Sequence, residues 1–485
     1  MFKSLSINVL LVLSVFFAGL IPGEAQTLLQ NVEGREITSL NGRWNFIIDP
    51  YQMGYLDYRL KPFDESESGK GGFYDNRTDP ITDKLVEYNF DMDQTMAVPG
   101  DWNSQDERLQ FYEGTVWYKK DFDLQVKEGK RYFIDFAAVN YQTNVYLNGK
   151  KLGSNKGGFT PFQFEVTEGV KNGKNFVVVM VDNTRKKDEI PTVNTDWWNY
   201  GGITRDVTLI EAPQNFIRDY KVQLGKGDMN MIDGYVQLAE TDRSETVTID
   251  IPELKINKTF TTDGSGKVKF QIPAKQIKHW SPESPVLYTV NISSEGDKIS
   301  DKIGFRKIHT EGKNIYLNNK SVFLKGISIH DENPLIEGRL RSEGDMRMML
   351  QWAKDLGCNY VRLAHYTHSE TMLRLADEMG LMVWSEVPVY WTISWENEET
   401  YANAENQLST SIERDKNRAS VVIWSVGNET PITEPRNVFM GKLVDKVKSL
   451  DDTRLVSAAL EIESHDNTIT VEDDPGAKLD IVRFT

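Results

Sequence analysis

One cysteine in 485 residues, Cys358, excludes an internal disulfide. It lies in Leu356-Gly-Cys-Asn-Tyr-Val-Arg362, an apolar strand entry with no neighbouring base, and reads as a core residue rather than a nucleophile. Positive charge is also short. Lys and Arg number 56 against 72 Asp and Glu, a net charge of −16 with no basic stretch to offset it, so nucleic acid and anionic membranes are excluded as partners. Long apolar runs are missing except Asn8 to Leu20, whose 13 residues fall below the ~20 of a spanning helix. No His-Glu-x-x-His helix appears, and Gly157-Gly158 is a turn because no phosphate loop follows it.

The N-terminal run has another use. Lys3 ahead of it and Gly23-Glu24-Ala25 behind it fit an export signal over residues 1–25, which predicts a secreted or periplasmic protein. The remainder is long enough for two to four domains of roughly 100–200 residues.

Three regions follow. Residues 26–212 alternate with period two between turn residues: Arg131 to Phe136, Thr143 to Leu147 and Phe176 to Val181 read as strands, with Asn148-Gly149 as a tight hairpin turn. Many short strands without helical periodicity predict a β-sandwich, interrupted by a polar inserted loop from Lys61 to Asp93. Residues 213–308 continue the alternation, with Val286, Tyr288, Val290 and Ile292 on one face, in a length that suits an immunoglobulin-like sandwich. From about Thr310, in residues 309–485, strands and helices alternate. Strands are expected at Gly326 to Ile329, Asn359 to Leu363, Leu381 to Trp384, Val421 to Trp424, Leu455 to Ala459 and Leu479 to Phe484. Met346, Met349, Leu350 and Ala353 mark one buried helical face, and Met372, Leu375, Ala376 and Met379 another, closed by Gly357 and Gly380. Near-continuous apolar strands in such units mean a parallel sheet, barrel or doubly wound.

Chemistry gathers at one end of that sheet. Asn428 and Glu429 follow Val421-Val-Ile-Trp424, where a barrel strand delivers side chains to an active-site mouth. His330-Asp-Glu332, Arg362, His365 and Glu386 emerge at the same rim of other strands. His330 and His365 could be metal ligands, but no third ligand sits at metal spacing, and no metal is expected. Trp197, Trp198, Trp391 and Trp395 suit either a core or an exposed floor for sugar rings.

These segments carry a resemblance. Asp415-Lys-Asn-Arg-Ala-Ser-Val-Val-Ile-Trp-Ser-Val-Gly-Asn-Glu429 resembles the acid/base signature of glycoside hydrolase family 2. Asn359 to Tyr366, with Asp377 to Trp384, resembles that family's other signature. Val98-Pro-Gly-Asp-Trp-Asn103, Gly114 to Tyr118 and Asp196 to Arg205 look most like its β-glucuronidases. Trp280-Ser-Pro-Glu283 and Gly304-Phe-Arg306 are similar to its sandwich-to-barrel junction.

The resemblance implies a jelly-roll, an immunoglobulin-like domain and a (β/α)8 barrel in a retaining exo-β-glycosidase. Its substrate would be a terminal β-glucuronide or β-galactoside of an oligo- or polysaccharide. Glu429 would be the general acid/base, Asn428 would bond the sugar 2-hydroxyl, and Asp196 would hold the sugar. His330 and Arg362 would line the subsite. No cofactor is implied, and relatives commonly form homo-oligomers. Two family features are not found: the Glu of the seventh strand that acts as nucleophile, and the later Asn-x-Lys that grips a uronate carboxylate. With six strands in some 175 residues against the ~200 or more of a full barrel, the expectation is a barrel left open at the C-terminal end. Arg483, in a strand that should be buried, is a further departure. Glu386 and Glu461 flank the fourth strand as substitutes for the nucleophile that relatives do not use. The alternative is an inactive glycan-binding remnant.

Overall fold

The computed structural model describes residues 28–76, 90, 94–239, 241, 243–460, 463–465, 468–470, 478–481 and 483–484. The proposed export signal, Glu461 and part of the Lys61 to Asp93 loop lie outside them, as does the side chain of Arg483.

The first domain is two antiparallel sheets. One runs in the order Glu36–Ser39, Val207–Pro213, Lys130–Phe136, Phe162–Glu165; the other is six-stranded, from Thr95–Val98 through Gly42–Ile48, Thr115–Leu124, Gly173–Asp182 and Gln142–Leu147 to Lys150–Lys156. Inward residues of both faces, among them Trp44, Tyr118, Ile134, Val145 and Val179, form one apolar core. Asn148 and Gly149 make the expected hairpin turn with φ of 50° and 82°, the pairing of positive dihedrals that matches strand twist. The loop after Lys61 is less polar in effect than its composition suggests. Tyr74 is buried and stacks on Tyr146 at 4.2 Å, so this insertion is pinned to the outer face of the larger sheet.

The second domain packs a three-stranded sheet (Ile217–Leu224, Met231–Leu238, Lys267–Pro273) on a four-stranded one (Ile256–Thr261, Thr246–Ile251, Tyr288–Ser293, Lys298–Ile303). Strict alternation in Tyr288–Ser293 buries every second residue.

Strand–helix alternation begins later than expected. Residues from Ile308 to Val322 first form a three-stranded antiparallel sheet. Parallel strands then follow at Gly326–Ile329, Tyr360–Leu363, Met382–Glu386, Val421–Asn428 and Leu455–Leu460, with helices Glu343–Asp355, Glu370–Met379, Glu398–Asp415 and Glu434–Leu450 between them. A sixth strand is only Arg483–Phe484, shorter than the run predicted from Leu479, and it follows a small hairpin (Glu463–His465 with Thr468–Thr470) that composition did not reveal. Local chemistry sets the helix ends. Ser342 and Asp345 form a capping box on the first helix, Ser369 caps the second, and Gly357 and Gly380 take φ of 78° and 69° past their C-termini. Gly380 has a second reason to lack a side chain: a Cβ there would lie 2.5 Å from the Pro282 carbonyl oxygen of the second domain.

The period of two divides the strands into two faces. Val361, Leu363, Val383 and Trp424 pack against the helices, whereas Tyr360, Met382, Trp384 and Ile423 pack inside with Trp280 and Leu317. The six strands make an arc in which the first and last have a neighbour on one side only among the described residues. A cavity of about 680 Å³ opens at the N-terminal ends of these strands, lined by Gly326, Tyr360, Ile423 and Ile481. The junction beneath is fixed by Arg306. Its guanidinium donates to the carbonyls of Ala419 (3.1 Å), Thr453 (3.1 Å) and Val421 (2.5 Å), tying the second domain to the base of the fourth strand.

Candidate active site

The fourth strand does not end at Trp424 with Asn428 and Glu429 in a loop, as its apolar run suggested. It continues to Asn428 with every residue buried. The cause is tertiary. Asn428 N–H donates to Val389 (2.9 Å), Trp391 N–H donates to the Asn428 carbonyl (3.1 Å), and Glu429 N–H donates to Ala459 (2.8 Å). Segments after the third strand and on the fifth therefore hold the dipeptide's backbone from two sides. Glu429 and Trp391 sit at φ of 48° and 51°, a left-handed conformation unfavourable to residues with a Cβ and typical of positions where surrounding structure imposes geometry for function. Their side chains meet: the Trp391 indole N–H donates to Glu429 Oε2 at 3.0 Å.

Beneath this pair is a buried ionic network. Glu386 accepts hydrogen bonds from Arg362 Nη2 (2.7 Å) and Nε (3.2 Å), Trp384 Nε1 (2.6 Å) and Ser425 Oγ (2.9 Å), and its Oε1 lies 3.0 Å from His365 Nδ1. Burial alone would raise this carboxyl, but the Arg362 guanidinium and His365 outweigh it and hold it at about 2. With its lone pairs committed, Glu386 is a poor candidate for the substitute nucleophile. Arg362, 3 % exposed, also donates to Asn428 Oδ1. A guanidinium can only donate, so the Asn428 amide oxygen must face it. The amide nitrogen is then left buried without a partner among the described residues, a condition that costs about 1–3 kcal/mol until something accepts its hydrogen bond.

The first domain supplies the facing wall. Asp196, half exposed, approaches His365 Nε2 to 3.9 Å and bonds the Tyr390 hydroxyl. Burial and the Asp196 carboxylate both push the Tyr390 phenol above its ordinary range. His330 stands with its ring 5.2 Å from that of His365, and burial together with His365 lowers its proton affinity despite nearby Asp196. Trp197 closes the group, 5.8 Å from the His365 ring and 5.0 Å from Tyr390. Arg205 locks the wall in place, with Nη1 donating to Phe159 O (2.8 Å) and Nη2 to Asp331 (2.9 Å) and Thr367 O (2.8 Å).

All the residues singled out by sequence, Glu429, Asn428, Asp196, His330 and Arg362, thus come to one region, with Arg362 below its surface. Donor atoms of Asp196, His330 and His365 lie within 4.8 Å of one another and could hold a metal ion. Sequence spacing had found no third ligand because Asp196 comes from another domain. The tryptophans divide: Trp197 and Trp391 belong to the site, Trp198 is exposed, and Trp395 packs on Phe439 at 5.3 Å among the helices. Tyr390 and the structural role of Glu386 were not foreseen, since only the fold brings them beside Asp196 and Arg362.

Three family models match in succession: "Glycosyl hydrolases family 2, sugar binding domain" over residues 37–213, "Glycosyl hydrolases family 2" over 215–306, and "Glycosyl hydrolases family 2, TIM barrel domain" over 308–473. The chain is 30% identical over 394 residues to a protein of Formosa agariphila, covering 74% of this chain and 47% of that one. It is 28% identical over 446 residues to a beta-glucuronidase of Streptococcus agalactiae, covering 80% of this chain and 73% of that one. Beta-galactosidases stand among the other relatives. Among solved structures, a beta-glucuronidase of an uncultured Clostridium species superposes with a TM-score of 0.77 at 25% identity, over 95% of this chain and 78% of that one. The chain spans about half the length of the first of these relatives.

Proposed function

The chain belongs to glycosyl hydrolases family 2, and from that premise we propose that it acts in retaining exo-hydrolysis of terminal β-glucuronides or β-galactosides. In this reading Glu429 protonates the leaving glycosidic oxygen and then activates water, with Trp391 orienting its carboxylate. Asn428 bonds the sugar 2-hydroxyl, Asp196 and His330 hold further hydroxyls, and Arg362 acts from below by orienting Asn428. The nucleophile, a second carboxylate about 5–5.5 Å from the first, is assigned to polypeptide outside the described residues, because Glu386 is already engaged by Arg362, His365, Trp384 and Ser425.

The observation that carries the reading is the buried amide nitrogen of Asn428, unpaired among the described residues, beside Glu429 at the mouth of a barrel strand. A sugar hydroxyl placed there relieves the unmet bond. Binding of D-glucaro-1,5-lactone and D-galactono-1,5-lactone, measured by calorimetry, tests it without requiring turnover. One lactone should bind, identifying the sugar, and Asn428→Ala should weaken it at least tenfold. Binding of neither would sink the proposal. We also propose export from the cytoplasm by residues 1–25, and domain divisions near residues 212 and 308.

A further inference from the structure

We propose that the first domain carries a second sugar-binding site, built on Phe111 and Trp198, that takes a pyranose ring on the leaving-group side of the scissile bond. The proposal rests on the glycosidase reading and names what lies beyond the terminal sugar. A cavity of about 310 Å³ is lined by Phe111, Trp198, Trp197, Glu113, Arg185 and Asn199 among others, at the lower end of the ~300–1,000 Å³ usual for small-molecule sites. Phe111 is 78% and Trp198 43% exposed. Large aromatic side chains of a soluble protein are seldom left so open without a use when they gather in a groove.

Geometry favours a sugar ring over an apolar partner. The two rings lie 5.6 Å apart and are tilted by 58°, so they do not stack on each other and a face remains available. An aromatic face is electron-rich and attracts the C–H groups that line one side of a pyranose. At the rim, the Arg185–Glu113 pair (2.7 Å, 37% and 33% exposed) offers a donor and an acceptor for equatorial hydroxyls.

The backbone that follows Trp198 is held in place. Asn199 donates to the Asn183 carbonyl (2.8 Å) and accepts from Asn140 Nδ2 (3.1 Å), and Gly201 N–H donates to Asn103 (2.8 Å). The adjoining Gly201 packs so tightly that a Cβ there would lie 2.1 Å from Trp102. A fixed backbone on the Trp198 side of the groove lowers the ordering cost of binding there.

Continuity with the candidate active site selects the occupant. Asp196, Trp197 and Trp198 are consecutive. Asp196 and Trp197 face His365 and Tyr390, while Trp198 turns to the groove, and Trp197 forms part of the groove wall. An exo-acting site holds one terminal sugar behind its mouth, so a ring bound outside it belongs to the departing portion of the glycan.

The test compares methyl β-D-glucuronide and methyl β-D-galactoside with their 1,4-linked glucose disaccharides, by calorimetry on the full chain at a temperature where no hydrolysis is detected. The expected result is at least tenfold tighter binding of the disaccharide than of the matching methyl glycoside. Phe111→Ala and Trp198→Ala should each erase most of that gap and leave methyl glycoside affinity within about twofold, with Trp198→Phe retaining most of it. Equal affinity for the two ligands in the wild type, or a gap that survives both alanine variants, overturns this inference and leaves the function reading standing. Failure of every ligand to bind overturns that reading, and this one with it.

Discussion

Replacing Glu386 by Gln removes the charge at the centre of the buried network while keeping its shape. The carboxyl moves from an ordinary 4.5 to about 2 on folding, which corresponds to on the order of 3 kcal/mol of stability at pH 7. The independent expectation for breaking a buried ion pair is about 3–5 kcal/mol, because Arg362 would be left without its partner; the two figures agree. The direction with pH follows from linkage. A carboxylate with a depressed folded value stabilises fully above its unfolded value and loses that contribution as pH falls through its folded value, so the window runs from about 4.5 down to about 2. The stability gap between wild type and Glu386→Gln should therefore be about 3 kcal/mol at pH 7 and about 1 kcal/mol at pH 3. Hydrogen exchange of the Met382–Glu386 and Val421–Asn428 strands reports on this region alone, which a global unfolding curve of a multidomain chain does not. Lactone binding should weaken in parallel as Arg362 releases Asn428. A gap that stays constant between pH 7 and pH 3, or that is absent at pH 7, would refute the reasoning.

Glu429→Gln should leave the fold unchanged by circular dichroism. In any preparation that turns over 4-nitrophenyl β-glycosides, it should lower kcat by about 10²–10⁴-fold; retention of wild-type rate would remove Glu429 from the chemistry. His368, fully buried and held to the Ala364 carbonyl at 3.1 Å, has its imidazole pushed by burial from 6.5 down to about 4. Its neutral form is required by the fold, so it contributes fully above 6.5 and about 3 kcal/mol should be lost as pH falls to 4. His368→Gln should flatten stability across that interval, as followed by hydrogen exchange of the adjoining Glu370–Met379 helix at stepped pH. Arg306→Ala should destabilise the barrel by about 1–3 kcal/mol, since the buried Ala419 carbonyl loses its donor while Val421 keeps Arg454 and the Thr453 carbonyl is only part-buried; unchanged hydrogen-exchange protection of the Val421–Asn428 strand would contradict that role for Arg306.

Local physics made several elements readable in advance. The Asn148-Gly149 turn, the caps at Ser369, Gly357 and Gly380, and the period-two burial of Tyr288–Ser293 each follow from a few neighbouring residues, and each stands where expected. Readings that depended on distant partners fared differently. Val421–Asn428 is longer than its apolar run because Val389 and Ala459 hold its end. The sixth strand is shorter than its apolar run from Leu479. Tyr74 is buried within a stretch whose composition is polar, since its ring finds Tyr146 on another strand.

By itself, the order of residues determined the family, the succession of sandwich, sandwich and parallel sheet, and the place of Glu429 at a strand mouth, because periodicity, capping and contiguous motifs are written in neighbouring positions. Tertiary structure alone decided which groups meet: that Asp196 crosses from the first domain to His365, that Arg362 lies under Asn428 rather than in the open, and that Glu386 is bound on all sides. Those are relations between side chains far apart along the chain, and packing brings them together where spacing could not.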